Sequence, residues 1–432
     1  MARKKKASDN SFLGRILIFI SPFWKRIKKK RIFRSLFERQ KTLASYTSGE
    51  ACEESRLAHS FGVAKVICAF LLVILLLVTL LFGSGAISYE KVYYMFKDIS
   101  YIKTFGESEP SSLSYSRPVQ NQVFTSFKGG LAVASDSEIK AFTSTGRVTI
   151  SQGSEFTNPR FSSSDAYLLV YDQGSNSYSI YNSFICVHRE KLDFPISFAC
   201  MADNGSFLVV TRSEKYDSLV KVYDSNFDAV TEYSKNDRVI SASLSSDGRY
   251  AAVLSMTAEH GESVVSLNII DCKKNDIVST SSFDGSMPYR CDFLSDERIA
   301  VILDDRTCVV DRSGKVMGEY SYPSSLEKMD ISKERIALLF SENASLNKKT
   351  VSILDSEAKL TFGDTVKGNV RDMKIGDGFV YILLGGKVIR INTQLGTKSL
   401  LETDVADASI VLFPNGKVAL CTQTTANYIS FD

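Results

Sequence analysis

Tryptophan and histidine are nearly absent from the chain: one Trp (Trp24) and three His (His59, His188, His260) occur in 432 residues. That scarcity excludes a metal centre built on clustered histidines and any repeat defined by recurring tryptophans. A net excess of either charge is also missing, with 52 Lys and Arg against 49 Asp and Glu. The remaining composition, 44% hydrophobic and 23% charged, is that of a globular protein. The length suits two or three domains, or one large repetitive one.

The balance of +3 hides an uneven distribution. Residues 1–65 hold 16 basic and 5 acidic residues, and the rest hold 36 and 44. The two parts therefore carry about +11 and −8. Between them runs an uncharged stretch, Val66–Phe82, in which 14 of 17 residues are Leu, Ile, Val or Phe, followed by the small and apolar Gly83–Ile87. At about 1.5 Å per residue, such a helix spans roughly the ~30 Å of hydrocarbon in a bilayer. Its aliphatic side chains favour insertion by roughly 4 to 8 kcal/mol. Some 65 residues precede it without a small-residue cleavage site, so the stretch reads as a signal anchor and not a cleaved leader.

The basic flank orients it. Lys25, Arg26, Lys28, Lys29, Lys30, Arg31 and Arg34 form the densest cationic block. The positive-inside rule then places residues 1–65 in the cytoplasm and the C-terminal domain outside the plasma membrane. Phe12, Ile16, Phe19, Ile20, Phe23 and Ile27 recur at helical spacing beside Trp24. With the basic block they compose a helix that lies on anionic lipid headgroups. A solvated basic tail, or a plain topology signal, accounts for the same residues. Pro22 interrupts a single continuous helix, and residues 38–60 read as a polar linker. Nucleic acid is not expected as a partner, because the rest of the protein is acidic and outside.

The outer part, residues 88–432, repeats. Its unit is an apolar run, a tight turn and a second apolar run, seen most clearly in Ser243-Leu-Ser-Ser-Asp-Gly-Arg-Tyr-Ala-Ala-Val-Leu254. There Asp247-Gly248 supplies the positive φ that a two-residue hairpin needs. Eight copies align, with turn markers Gly129, Ser164, Asn204, Asp247, Asp296, Lys333, Asp377 and Asn415. The spacings are 35, 40, 43, 49, 37, 44 and 38, with a mean of about 41, the period of a four-stranded propeller blade. A second hairpin follows the first in several copies, as in Leu219–Val230, Cys308–Val316 and Val388–Thr397. The eighth copy runs out of chain before its fourth strand. Met95–Phe105 has the composition to supply that strand from the other end of the domain, and Leu113–Arg117 is the second candidate.

The unit "apolar-x-Ser-x-Asp-Gly-x-x-x-Ala-Val" followed by "Val-Tyr-Asp" resembles the WD40-like and YVTN-type β-propeller superfamily. The whole arrangement resembles a family of uncharacterised bacterial proteins with a basic tail, one membrane helix and an outer propeller. The expected fold is thus all-β: a β-propeller of four-stranded blades, eight in preference to seven, preceded by one transmembrane α-helix (66–87) and a basic N-terminal tail (1–65). Another multi-hairpin sandwich or a solenoid is the alternative.

Chemistry is expected to be absent. The outer domain has no Trp for quinoprotein-type blades, sialidase-type boxes or the strict Trp-Asp repeat. It has no Gly-x-Ser-x-Gly elbow, phosphate-binding loop, His-Glu-x-x-His helix or Asp-x-Asp-x-Asp-Gly loop. Asp304-Asp305 is the nearest approach to paired carboxylates, and a turn explains it. Cys186, Cys200, Cys272, Cys291, Cys308 and Cys421 lack metal-site spacing and read as mostly unpaired thiols, several of them in strand cores. No catalytic residue, cofactor or metal is assigned. The reading is a membrane-anchored, extracytoplasmic, non-enzymatic interaction or scaffold module, with an envelope protein or wall polymer as partner. The alternatives are a sensor that couples an outer ligand to a cytoplasmic partner and, least favoured, a propeller lyase or hydrolase.

Overall fold

A computed structural model describes residues 65, 68–76, 97, 110–115, 121–343, 347–414 and 416–431. The chain divides into two units, Met1–Tyr89 and Glu90–Asp432. In the first, residues 68–76 are helical, and Phe70, Leu71, Leu72, Val73, Ile74, Leu75 and Leu76 are exposed. Among the described residues no helix is long and apolar enough to cross a membrane; the remainder of the 66–87 stretch lies outside them, as does the cationic block from Lys25 to Arg34.

The second unit is an eight-bladed β-propeller. Each blade is a four-stranded antiparallel sheet, with strands here designated A to D in order across the sheet. In seven blades the strands follow chain order, from Val123–Phe127 to Val148–Gly153 in blade 1 through to Val370–Gly376 to Lys398–Glu402 in blade 7. The eight A strands touch one another in a ring that closes where Val123–Phe127 meets Ser409–Leu412.

The strands differ because their environments differ. The B strands are packed on both faces by neighbouring blades, and therefore read as unbroken apolar runs instead of alternations. Gly130–Ala134, Leu168–Asp172 and Phe207–Thr211 are buried at every position. The D strands are outer edges with one wet face, and they alternate, as Leu360–Lys367 does. Consequently there is no single core. Eight separate apolar clusters each lie between two neighbouring blades. Tyr178, Tyr181, Phe207, Phe340 and Tyr381 are the largest of the fully buried side chains in them.

The last blade confirms the missing strand and corrects its first-choice source. Ser409–Leu412, Val418–Cys421 and Thr425–Ile429 occupy positions A to C, and Ser112–Ser114 pairs with Thr425–Ile429 as strand D. The second candidate, Leu113–Arg117, thus supplies it in part: Leu113 and Ser114 fall in the strand with Ser112, and residues 116–117 lie outside the described residues. Of Met95–Phe105, Lys97 is described and is helical; the rest lies outside the described residues. Three residues suffice because alternation drives Leu113 inward and leaves Ser112 and Ser114 out. Tyr115 follows it into the same cluster, between blades 8 and 1, and its hydroxyl donates to the carbonyls of Thr422 and Thr425.

The seven A–B turns from Gly129 to Asp377 fall where the repeat places them. One is built differently from the expectation. Lys128-Gly129 and Asp377-Gly378 are two-residue turns with both residues at positive φ, as a tight hairpin demands. Asp247-Gly248 instead sits in a longer turn, in which only Gly248 (φ 67°) is left-handed. The carboxylate of Asp247 accepts from the Ser245 hydroxyl at 2.6 Å and the Arg249 amide at 3.0 Å. Side-chain caps replace backbone strain there.

Two outcomes follow from closure and from the turns. Leu113→Ala should lower stability by about 2 kcal/mol through the cavity it leaves, and Tyr115→Phe by about 1 kcal/mol; urea midpoints measure both. Asp311 in the C–D turn of blade 5 accepts from the Ser313 hydroxyl and from the Ser313 and Lys315 amides, which holds its carboxyl below the ordinary 3.8. The unfolded chain therefore takes up that proton first, so this stabilisation is present above about pH 4 and is lost as the pH falls further. Asp311→Asn should flatten the stability–pH curve below about pH 4 relative to the parent, read from urea midpoints across that range.

Candidate interaction surface

Blade topology sorts the loops onto two faces. All A–B and C–D turns emerge on one, called here the turn face, and all B–C turns and interblade D–A connections on the other. Around the axis of the turn face the A–B turns bring together residues that are far apart in sequence: Asp165, Asp203, Asp247, Asp296, Lys333 and Asp377 from blades 2 to 7. Each occupies the corresponding place in its repeat, which is why the residues share one mouth.

These turns clasp one another. The Asn204 amide donates to the carbonyl of Asp247, the Ser246 hydroxyl to Asp296 Oδ1 at 2.8 Å, and the Gly416 amide to Asp377 Oδ2 at 3.1 Å. Lys333 of blade 6 reaches across to Asp203 of blade 3, with Nζ 2.8 Å from Oδ2. Its ammonium is held above its ordinary pKa first by that hydrogen bond and charge, with Asp165 and Asp296 adding to the effect. Five carboxylates and the bridging Lys333 ammonium thus share one mouth, and the turns of the same face also carry Lys128 in blade 1 and Arg249 in blade 4.

Below the mouth, the A strands present their free edges to the axis. At four blade junctions a side chain from one A strand serves the backbone of the next. Ser162 Oγ accepts from Met201 N at 2.9 Å and Ser241 Oγ from Cys291 N at 3.1 Å. Asp330 Oδ2 accepts from Ile375 N at 2.9 Å and Asp372 Oδ2 from Ile410 N at 2.7 Å. Charges here are paired: Arg290 with Asp292 at 2.7 Å, and Lys374 with Asp330 at 3.5 Å. Burial raises the Asp330 carboxyl, against the opposing pull of Lys374 and the Ile375 amide. These groups are committed to holding blades together.

The other residues singled out from the sequence are dispersed. Asp304 and Asp305 form the B–C turn of blade 5; the first accepts from the Met287 amide at 2.7 Å and the second pairs with Arg306 at 2.6 Å. His260 occupies a hairpin tip at φ 53°. His188 lies 3.5 Å from Glu190 at the junction of blades 2 and 3, against Tyr178 and Phe227. The six propeller cysteines are unpaired. Burial pushes the thiols of Cys308 up to about 11 and of Cys272 and Cys291 up to about 12, which suits packing and not nucleophilic chemistry. Among the described residues no group of His, Cys, Asp and Glu is placed to hold a metal ion. The acidic mouth was not assigned from the sequence, although its signal is present: an acid recurring at one position of a repeat must recur on one face.

These features define an eight-bladed β-propeller. The chain belongs to the family of unknown function DUF5711, which it matches over residues 103–430. No curated protein matches it. Two solved propellers are similar in fold. Sqt1 of Saccharomyces cerevisiae aligns at a TM-score of 0.55 with 10% identity, covering 75% of this chain and all of that one. BamB of Moraxella catarrhalis aligns at 0.51 with 13% identity, covering 75% and 99%.

Lys333→Met tests whether the bridge is structural. Both partners are exposed, so stability should change by less than about 1 kcal/mol. A larger loss in urea titration would mean that this ion pair holds the mouth together.

Proposed function

We propose that the protein is a single-pass membrane protein whose outer propeller is a non-enzymatic scaffold for a partner bearing basic groups. The acidic mouth carries this reading: five aspartates from five separate blades converge on one rim, where neighbouring turns hold Asp247, Asp296 and Asp377 and Lys333 holds Asp203. A preorganised ring lowers the ordering cost of association, and its potential steers and orients a cationic partner, more strongly at low salt. The anchor rests on the uncharged run Val66–Phe82 and its basic flank. Helicity at 68–76, with every large aliphatic side chain there exposed, is what a lipid-facing helix requires. A basic segment of an envelope protein fits the mouth; an anionic wall polymer does not.

The reading is tested in cells by crosslinking the intact protein, the same protein lacking residues 1–60, and an Asp203→Asn/Asp296→Asn variant. The truncation should keep its partners, and the double variant should lose them or require lower salt to retain them. Loss on truncation alone would move function to the tail. Protease added to intact right-side-out vesicles should reach residues 83–432; full protection would reverse the orientation.

A further inference from the structure

The apolar side chains that the ring leaves in solvent are not scattered. The described residues of the propeller include twelve exposed large hydrophobics, and ten lie in C–D turns or in the first three residues of the strand that follows. Met287 and Tyr289, the other two, belong to the opposite side. The densest stretch runs over blades 4 to 7: Ile277 and Val278, Val316 and Met317, Leu360, and Leu395, which is 76% exposed at a turn tip. Exposed lysines interleave with them: Lys273 and Lys274 ahead of Asp276 and Ile277, Lys315 ahead of Val316, and Lys359, paired with Glu357 at 2.7 Å, ahead of Leu360.

Neighbouring blades join these residues into a band. Ser279 and Ser281 of the blade 4 outer strand donate to the carbonyls of Arg312 and Gly314 in the next C–D turn, at 3.0 and 2.7 Å. The Phe362 ring of blade 6 lies so close to Gly396 of blade 7 that a Cβ there would approach it to 2.8 Å. Ring packing does not require the band, because other residues of these strands, such as Phe283 and Val366, fill the interblade clusters. Exposed apolar side chains that recur along one rim among polar residues mark an interaction surface.

The chain enters the propeller on this same face. Ser112–Ser114 runs antiparallel to Thr425–Ile429, whose C-terminal end points to the turn face, so the N-terminal end of the closing strand lies there too. Pro110 accordingly abuts Gly146 in the C–D turn of blade 1. The segment between Phe82 and Pro110 is 27 residues long. Aliphatic side chains alternating with lysines, on the face where the tether arrives, have the composition of a surface that sits at the lipid–water boundary.

We infer that the rim of blades 4 to 7 rests on the bilayer, with the aliphatic side chains at the headgroup–acyl boundary and the lysines among the phosphates. This docking rests on the membrane-anchor reading above. The carboxylates of the mouth face the same way and are repelled by anionic lipid, so contact is made by one edge of the ring and leaves the mouth open sideways.

The scarcity of tryptophan makes the test clean. Trp24→Phe removes the single Trp. In that full-length background, Leu395→Trp and Met317→Trp report on the rim, and Tyr289→Trp reports on the opposite face. Each variant is reconstituted into phosphatidylcholine–phosphatidylglycerol vesicles, recovered by flotation, and its emission compared with and without brominated acyl chains. The rim tryptophans should be blue-shifted and lose intensity to brominated lipid, and Tyr289→Trp should do neither. Adding Ile277→Glu and Val316→Glu to Leu395→Trp, in protein of unchanged circular dichroism, should abolish the quenching. Floating protein whose rim tryptophans emit as in water, or whose two faces are quenched equally, overturns the docking and leaves the anchor standing. Quenching that survives the two glutamates overturns it as well. Protein that does not float removes the anchor and the docking together.

Discussion

Every blade of this protein depends on its two neighbours, because the second strand of each sheet is buried on both faces and no blade can supply both coverings itself. The constraint is satisfied all the way round only if the ring closes. Closure falls to Ser112–Ser114 against Thr425–Ile429 and to the insertion of Leu113 and Tyr115 between blades 8 and 1. Left open, the blade 8–1 junction would expose half a cluster on each side, and the edge of Thr425–Ile429 would be left with unpaired backbone groups. The segment that precedes the propeller in the chain is therefore part of its structure.

The same constraint explains how charge is distributed. Near the axis the free edges of the A strands need partners, and side chains of Ser162, Ser241, Asp330 and Asp372 provide them from the preceding blade. Buried groups there are paired, since an uncompensated charge in that position is costly. The turns are free of that demand. At the mouth they carry acids, and at the outer rim they carry aliphatic residues and lysines. Both surfaces lie on one face because A–B and C–D turns always emerge together in an antiparallel four-stranded blade.

Much of the architecture is legible in the residues. The eight turn markers from Gly129 to Asn415 recur at the period of a blade, and the seven from Gly129 to Asp377 lie at the hairpin of its first and second strands. The run-out after Asn415 signals a borrowed strand. The source of that strand was less legible: Met95–Phe105 has the stronger strand composition, but three residues with one buried leucine fill the position, so composition did not discriminate. Asp247-Gly248 read as a two-residue hairpin because the dipeptide favours one. The hydroxyl of Ser245 and the carboxylate of Asp247 instead cap a longer turn, a choice that depends on side-chain geometry.

By itself the sequence determined the period, the number of repeats, the segregation of charge on either side of an apolar run and the absence of recurring tryptophan. These are properties of neighbouring residues and of spacing. Only the tertiary structure decided which strand closes the ring, which acids meet at a mouth and which exposed aliphatic residues form a band. Asp203 and Lys333 are 130 residues apart yet form an ion pair. Such pairs arise from the curvature of the ring, which places the same position of every repeat around one axis.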